Sequence, residues 1–280
     1  MDNYQLTQDQ ITAYGVCLRT EEHTPSTIEK YLRDTRAFAV WLEGRPVTRE
    51  LAAEWRDRLL SSGHKPSTVN SMLAAVNGLF RFLGWGIRVK FLKVQRRLFR
   101  DQSRELTRGE YDLLVNTARA AGKERLALLM EAVCATGVRV SEVKYLTVEA
   151  AQCGRAEIAL KGKIRTILLP NKLCRKLLKY ARKQKIASGE IFLTRSGASL
   201  SRRQIWAEMK QLCKATGVAP EKVYPHNLRH LFARTFYQAC KDIARLADVL
   251  GHSSIETTRI YLVTTGAEQV RQLDRLGLVS

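Results

Sequence analysis

Two histidines, an arginine and a tyrosine fall within one short stretch near the end of the 280-residue chain. His226 and Arg229 lie three residues apart just after a proline, so both would face the same side of a helix. His252 follows a glycine that suits a helix C-cap, and Tyr261 comes nine residues later. Arginine binds phosphate oxygens, histidine moves protons near neutral pH, and tyrosine can act as a covalent nucleophile. Each of these motifs alone usually belongs to an exposed surface or to the packed core. All of them together, in this order, indicate a functional site.

A second motif, Gly-Val-Arg-Val-Ser-Glu, spans residues 137–142 and contains Arg139 and Glu142. Together the motifs resemble the tyrosine recombinase family, which includes the lambda-integrase-like and Xer-like site-specific recombinases. That family has Gly-x-Arg-x-Ser-Glu, then His-x-x-Arg, then Leu-Gly-His-Ser and a following tyrosine at the spacing found here. The resemblance runs from about residue 106 to the end of the sequence. The preceding residues match the family only in general pattern.

The resemblance implies site-specific recombination or integration, in which DNA is cut and rejoined through a 3′-phosphotyrosyl intermediate. Tyr261 would attack the scissile phosphate. Arg139 and Arg229 would neutralise its non-bridging oxygens, which is the main electrostatic contribution to phosphoryl transfer. His226 and His252 would donate hydrogen bonds and help to accept the tyrosine proton.

A lysine on a β-hairpin enters the active site of this family and protonates the leaving 5′ oxygen. Lys161 fits the Lys-Gly pattern of that hairpin best, and Lys163 remains the alternative because the turn departs from the usual Gly-Lys-Gly. Glu142 would orient His226 or the neighbouring backbone, and His230 is expected to be structural. The resemblance implies no metal and no nucleotide cofactor, since the covalent link keeps the energy of the phosphodiester.

Two other functions fit parts of the pattern. A type IB topoisomerase relaxes DNA with a similar set of residues but does not pair two sites; the Leu-Gly-His-Ser motif and the final helix disfavour it. A catalytically inactive DNA-binding relative is disfavoured because no catalytic position is missing.

The formal net charge of +20 and the isoelectric point near 10 indicate a polyanionic partner. Double-stranded DNA is the simplest such partner, and an anionic membrane surface is the competing interpretation. No apolar run approaches the length of a membrane span. The six cysteines are scattered without a Cys-x-x-Cys pair, which is typical of reduced thiols in a cytoplasmic protein. The sequence contains no P-loop, dinucleotide fingerprint or zinc-ligand spacing.

Residues 1–95 are predicted to form an all-helical domain. Apolar residues recur at helical spacing over 6–19, 28–42, 48–61 and 69–83, and Ser67 is expected to cap the fourth helix. A four-helix bundle without DNA contacts would show the same pattern. The segment also resembles the SAM-like core-binding domain of the family, which binds one side of the DNA.

A basic stretch follows this domain, with nine lysines and arginines against two acidic residues over 81–108. Such a run is usually a solvated face, but here it coincides with a predicted domain boundary. We interpret residues 96–105 as a linker that crosses the DNA backbone. The candidate DNA contacts lie in the basic stretch, in the β-hairpin and in a later basic helix: Arg81, Arg88, Lys90, Lys93, Arg96, Arg97, Arg100, Lys163, Lys172 and Arg175.

Residues 106–280 are predicted to form a mixed helical catalytic domain with a small β-hairpin or three-stranded sheet. The hairpin strands are predicted at 156–160 and 165–169. Capping boxes are expected at Thr107 with Glu110 and at Ser253 with Glu256, and the helix after Ser253 is expected to carry Tyr261. The fold class is therefore mainly α.

A last helix over 268–276 carries a narrow apolar stripe. The stripe could fold back on its own domain or dock on a neighbouring protomer. The family resemblance favours docking, in which a homotetramer assembles on two DNA sites, each with paired inverted half-sites, through this helix.

Overall fold

The computed structural model describes residues 4–94, 102–160, 163–261, 270–271 and 274–276. The chain divides into two compact units, Met1–Arg96 and Arg97–Ser280. The described part contains no helix that is both long and apolar enough to span a membrane.

Among its described residues, the N-terminal unit contains four helices, all close to their predicted positions. Its core centres on aromatic side chains: the ring of Phe38 meets those of Trp55 and Phe80 edge-on, with centroids 5.0 and 5.7 Å apart. These side chains are buried, as the helical periodicity requires. The helices are α1 (Gln8–Thr20), α2 (Pro25–Leu42), α3 (Arg49–Ser61) and α4 (Pro66–Phe82).

The predicted cap of α4 is wrong. Pro66 takes the first helical position, so Lys65 precedes the helix and provides no side-chain hydrogen bond to it. Ser67 lies inside the first turn instead of before it. The proline sets this start because its φ is already helical and its missing N–H is not needed there.

Two asparagines on α4 hold the extended segment that follows the helix. The Asn77 side chain accepts from the N–H of Val89 and donates to its carbonyl, both at 2.9 Å. Asn70 makes the same pair of bonds to Leu92, at 2.8 and 2.9 Å. Backbone groups that would otherwise lack partners are thereby satisfied, and residues 88–93 are fixed along the helix.

The C-terminal unit is built from eight α-helices among the described residues, with the buried helix α6 against α5, α8, α9 and α10. The predicted capping box of α5 is confirmed, since Thr107 and Glu110 each bond the other's backbone N–H. The helices are α5 (Arg108–Ala120), α6 (Glu124–Thr136), α7 (Val148–Cys153), α8 (Asn171–Lys183), α9 (Arg202–Thr216), α10 (Pro225–Cys240), α11 (Ile243–Leu250) and α12 (Ile255–Arg259). Short 3-10 helices cover Gln102–Arg104, Val140–Tyr145 and Pro220–Lys222.

The β-hairpin is confirmed as two antiparallel strands, β1 (Arg155–Leu160) and β2 (Lys163–Leu168). The described residues contain this pair alone, without a third strand. Strand β2 begins two residues earlier than predicted because Lys163 still pairs with Leu160. The hairpin packs its alternate side chains, including Ile158 and Ile167, into the core of the unit.

The segment after α11 differs from the prediction in two ways. Ser254, not Ser253, caps α12, with its hydroxyl accepting from the N–H of Glu256 at 3.2 Å. Helix α12 ends at Arg259, so Tyr261 lies in the turn that follows and not on the helix. The predicted helix over 268–276 lies mostly outside the described residues; of its stripe, Val270 and Leu276 are exposed.

Candidate active site

Arg229 on α10 lies at the centre of the site and is almost completely buried, with 1% of its surface exposed. Its guanidinium donates to the carbonyls of Gly137 and Leu250, the latter at 2.7 Å. Gly137 is the C-cap of α6 and Leu250 is the last residue of α11. Helix C-termini carry unpaired carbonyls and partial negative charge, so they stabilise this buried cation. One arginine thus joins three helices.

Gly137 is required where Arg229 meets α6. Its φ of +66° lies in the left-handed region, and a Cβ there would come within 2.5 Å of the Phe232 ring. Both constraints exclude a larger residue, so the glycine of the Gly-x-Arg motif is explained by the backbone and the packing.

Arg139 follows this glycine and is directed by Glu142. The Arg139 guanidinium donates to the Glu142 carboxylate at 2.9 Å and to the carbonyl of Gly251 at 3.3 Å. The Arg139 backbone N–H donates to the same carboxylate at 2.8 Å. Burial alone would raise the pKa of Glu142, but these hydrogen bonds and the nearby arginines hold it below its ordinary value. Glu142 is therefore an ionised carboxylate that orients Arg139.

Arg165 also reaches this carboxylate, although no sequence motif predicts that it belongs to the site. It projects from β2 and donates to Glu142 at 2.5 Å and to the carbonyl of Val249 at 3.4 Å. Burial lowers the pKa of Arg165, and the charge of Glu142 opposes that effect. No motif singles this arginine out; only the pairing of the hairpin brings it to the site.

His252 has a defined tautomer in this arrangement. Its Nε2 lies 3.0 Å from an Arg229 nitrogen, and its Nδ1 lies 2.8 Å from the Thr258 hydroxyl. Arginine can only donate, so Nε2 accepts and the proton is on Nδ1. Burial, followed by the charges of Arg229, Arg139 and Arg165, lowers the pKa of His252 to about 4. The imidazole is therefore neutral near pH 7.

His226 and His230 continue a chain of rings toward the tyrosine. The His226 and His230 rings meet edge-on with centroids 4.6 Å apart, and His230 meets the Tyr261 ring at the same distance. Burial and the charges of Arg229 and Arg139 lower the pKa of His226. Burial and its charged neighbours lower the pKa of His230 to about 3. Neutral imidazoles can both accept and donate protons beside a phosphate.

Tyr261 is 5% exposed and packs against Leu246 and Leu250 of α11. Its ring stacks on His252, with centroids 5.9 Å apart and planes 11° from parallel. Burial lowers the pKa of Arg229, and the nearby Tyr261 opposes that effect. The chain's own tyrosine therefore lies against its own histidines and near its own Arg229, beside groups that could bind a phosphate.

The structure leaves the predicted catalytic lysine and part of the DNA-contact set undescribed. Lys161, Arg96, Arg97 and Arg100 fall outside the described residues, as do residues 95–101 of the basic stretch. Lys163 is the first residue of β2, and its side chain lies outside the described part of the structure. The remaining candidates are exposed: Arg81, Arg88, Lys90 and Lys93 in the N-terminal unit, and Lys172 and Arg175 on α8.

The electrostatic balance of the site favours an anion. Arg139 and Arg165 both donate to Glu142. Burial lowers the pKa of Arg229, and the nearby charges of Arg139 and Arg165 lower it further, so three guanidinium groups lie close together. Within the described ranges, no group of three or more His, Cys, Asp or Glu side chains is placed to hold a metal ion. The arrangement can bind a phosphate, place a phenol hydroxyl against it and shuttle protons through neutral imidazoles.

Family models match most of the chain. The model described as the phage integrase family matches residues 104–267, and that of the phage integrase N-terminal SAM-like domain matches residues 11–86. The chain is 31% identical to the tyrosine recombinase XerC of Roseiflexus castenholzii, over 90% of this chain and 88% of the relative. It is 26% identical to the tyrosine recombinase XerA of Pyrococcus furiosus, over 98% of this chain and 96% of the relative.

Solved structures share the fold. A lambda integrase tetramer bound to a Holliday junction has a TM-score of 0.74 at 18% identity, covering 93% of this chain and 78% of that one. The XerH site-specific recombinase bound to difH substrate has a TM-score of 0.66 at 20% identity, covering 94% and 88%. With the matched models and the arrangement of Arg139, Arg229, His252 and Tyr261, these likenesses lead to one conclusion: the chain belongs to the phage integrase family of tyrosine recombinases.

Proposed function

We propose that this chain is a site-specific DNA recombinase that cuts and rejoins DNA through a covalent bond between Tyr261 and a 3′ phosphate. The observation that carries the proposal is the packing of the buried Tyr261 ring against His252 and His230, with His252 in turn hydrogen-bonded to the buried Arg229. Family membership supports recombinase function, and the high positive charge supports a DNA substrate.

In the proposed reaction, each site residue has one step. The Tyr261 oxygen forms a bond to phosphorus as the bond to the 5′ oxygen breaks, so the 3′ end stays on the protein. Arg139 and Arg229 stabilise the charge on the non-bridging oxygens. The tyrosine proton must leave during attack, and the neutral His252 and His226 can accept it. Once the Nε2 of His252 has taken that proton, it can no longer accept from Arg229 and would donate to a non-bridging oxygen of the phosphate.

Rejoining is the reverse attack, in which a 5′ hydroxyl displaces the tyrosine. One phosphodiester is replaced by another ester of similar energy, so no nucleotide hydrolysis is required. The arginines supply the charge neutralisation that a metal ion supplies elsewhere. We therefore propose a metal-independent strand transfer.

The leaving 5′ oxygen needs a proton, and we propose that a lysine of the hairpin turn provides it. Lys163 pairs with Leu160 as part of the antiparallel strands, whereas Lys161 lies outside the described residues. The Lys-Gly pattern in the sequence supports Lys161, and Lys163 remains the alternative.

We propose double-stranded DNA with paired inverted half-sites as the partner, and a homotetramer joined through the segment 268–276. The exposure of Val270 (56%) and Leu276 (60%) supports docking on a neighbouring protomer over packing in cis. A lambda integrase tetramer on a Holliday junction has the same fold, which is consistent with such an assembly.

The nucleophile is tested by Tyr261→Phe, which removes the attacking oxygen and keeps the ring against His252. The target sequence is first identified from DNA that is covalently trapped on the parental protein in cells, and a nicked suicide half-site is made from it. Tyr261→Phe should form no covalent adduct with this half-site. Half-site affinity should change by less than about threefold because the arginines are intact. Tyr237→Phe on α10 is the matched control and should form adduct at the parental rate. An adduct of normal yield in Tyr261→Phe would contradict the assignment.

The lysine is tested with Lys161→Ala and Lys163→Ala on two substrates. Lys161→Ala should lose cleavage of normal DNA by about 100-fold or more, since the 5′ oxygen leaves unprotonated. A substrate with sulfur at that bridging position needs no acid, so Lys161→Ala should cleave it at the parental rate. Lys163→Ala should cleave both substrates. If the sulfur rescues Lys163→Ala and not Lys161→Ala, the acid is Lys163.

Assembly is tested by ending the chain after Thr265. The shortened protein should bind a single half-site with unchanged affinity. Cooperative binding to the second half-site should fall about tenfold, and recombination of a two-site plasmid should be lost. Val270→Asp in the full chain is a smaller change that should also lower cooperative binding and recombination. Full cooperativity in both variants, measured by gel shift, would exclude a role for this segment in assembly.

A further inference from the structure

The carboxylate of Glu142 is shared between two arginines from separate parts of the fold. Arg139 donates to one of its oxygens at 2.9 Å, and Arg165 donates to the other at 2.5 Å. The Glu142 side chain is 3% exposed, and that of Arg165 is 15% exposed. Two guanidinium groups this close repel each other, so the carboxylate between them is needed for both to remain.

Arg165 also contacts the turn that carries His252. Its guanidinium donates to the carbonyl of Val249 at 3.4 Å. A Cβ at Gly251 would lie 2.4 Å from the Arg165 side chain, and the φ of Gly251 is +62°. The same turn gives Arg139 its second acceptor, the carbonyl of Gly251. The two arginines therefore hold this turn from two sides.

Stability alone is a weak explanation for this pair. Burying an arginine and a carboxylate costs desolvation energy that their attraction often fails to exceed. The Arg165 Nε is buried and has no hydrogen-bond partner among the described residues, which adds to the cost. Its Nη1 donates to the carbonyl of Val249 and its Nη2 donates to Glu142. Because both groups already have acceptors inside the protein, Arg165 is not placed to contact DNA.

We propose that Arg165 is a positioning residue for strand cleavage: through Glu142 and the turn 249–251, it fixes the orientation of Arg139 toward the scissile phosphate. Arg165 does not touch the DNA. It couples β2, which follows the lysine-bearing turn, to the two motifs that supply Arg139 and His252. The proposal rests on the function proposed above and names a residue that no motif contains.

The test compares Arg165→Gln and Arg165→Lys with Arg155→Gln, a control on the exposed face of the paired strand β1. Adduct formation on the suicide half-site is measured in a single turnover, and half-site affinity is measured separately. Arg165→Gln should slow adduct formation about 100-fold with affinity changed less than about threefold. Arg165→Lys keeps one bond to Glu142 and should lose about tenfold. Arg155→Gln should match the parent.

Two further readouts separate positioning from general destabilisation. In a Glu142→Gln background, Arg165→Gln should cost less than about threefold more, because the shared carboxylate is already lost. Arg139 and Arg165 both hold down the pKa of Glu142. Removing Arg165 raises that pKa, so the acidic limb of the rate profile should move to higher pH.

A parallel loss of affinity and rate in Arg165→Gln would overturn the proposal, as would an unchanged rate or full additivity with Glu142→Gln. If Arg165→Gln fails to fold, as judged by circular dichroism, the Arg165→Lys rate and pH profile decide the question. Failure of the parental protein to form any adduct would instead refute the proposed function.

Discussion

The site depends on the burial of one positive charge. Arg229 can remain in the interior only because the C-termini of α6 and α11 direct carbonyls at it, from Gly137 and Leu250. Each helix end carries a partial negative charge of about half an elementary charge, which offsets the desolvation of the guanidinium. The two glycines that end these helices, Gly137 and Gly251, are followed directly by the segments that supply Arg139 and His252. The positions of the other site residues are thus tied to that of Arg229.

This arrangement explains why neutral histidines surround a strongly basic site. Burial lowers the pKa of His226 and His252, and the arginines that would bind a phosphate lower both further, so these imidazoles carry no charge near pH 7. An arriving phosphate would partly cancel the arginine charge and raise both pKa values, which favours proton transfer at the moment of attack. Tyr261, stacked on His252, lies where such a transfer would begin.

Much of this could be predicted from the sequence because it is local. The periodic helices α2, α6 and α10, the glycine caps at Gly137 and Gly251, and the β-hairpin each depend on neighbouring residues. The role of Arg165 and the proton position on His252 depend on contacts between distant segments, which no spacing encodes. The same holds for Asn70 and Asn77, whose backbone partners lie beyond the end of α4. Two predicted helix caps were wrong because a neighbouring residue took the position. Pro66 begins α4 ahead of Ser67, and Ser254 caps α12 in place of Ser253.

The central claim is that each chain builds a complete site in which its own Tyr261 acts with its own arginines. Complementation between two inactive variants tests it most directly. Tyr261→Phe and Arg139→Gln, carried on chains of different size, are mixed on a suicide substrate with two half-sites, and covalent adducts are separated by mass. If each tyrosine acts within its own chain, the mixture forms no adduct, since neither chain holds a complete site. An adduct on the Arg139→Gln chain would show that its tyrosine attacks in the partner's site, and would contradict this account.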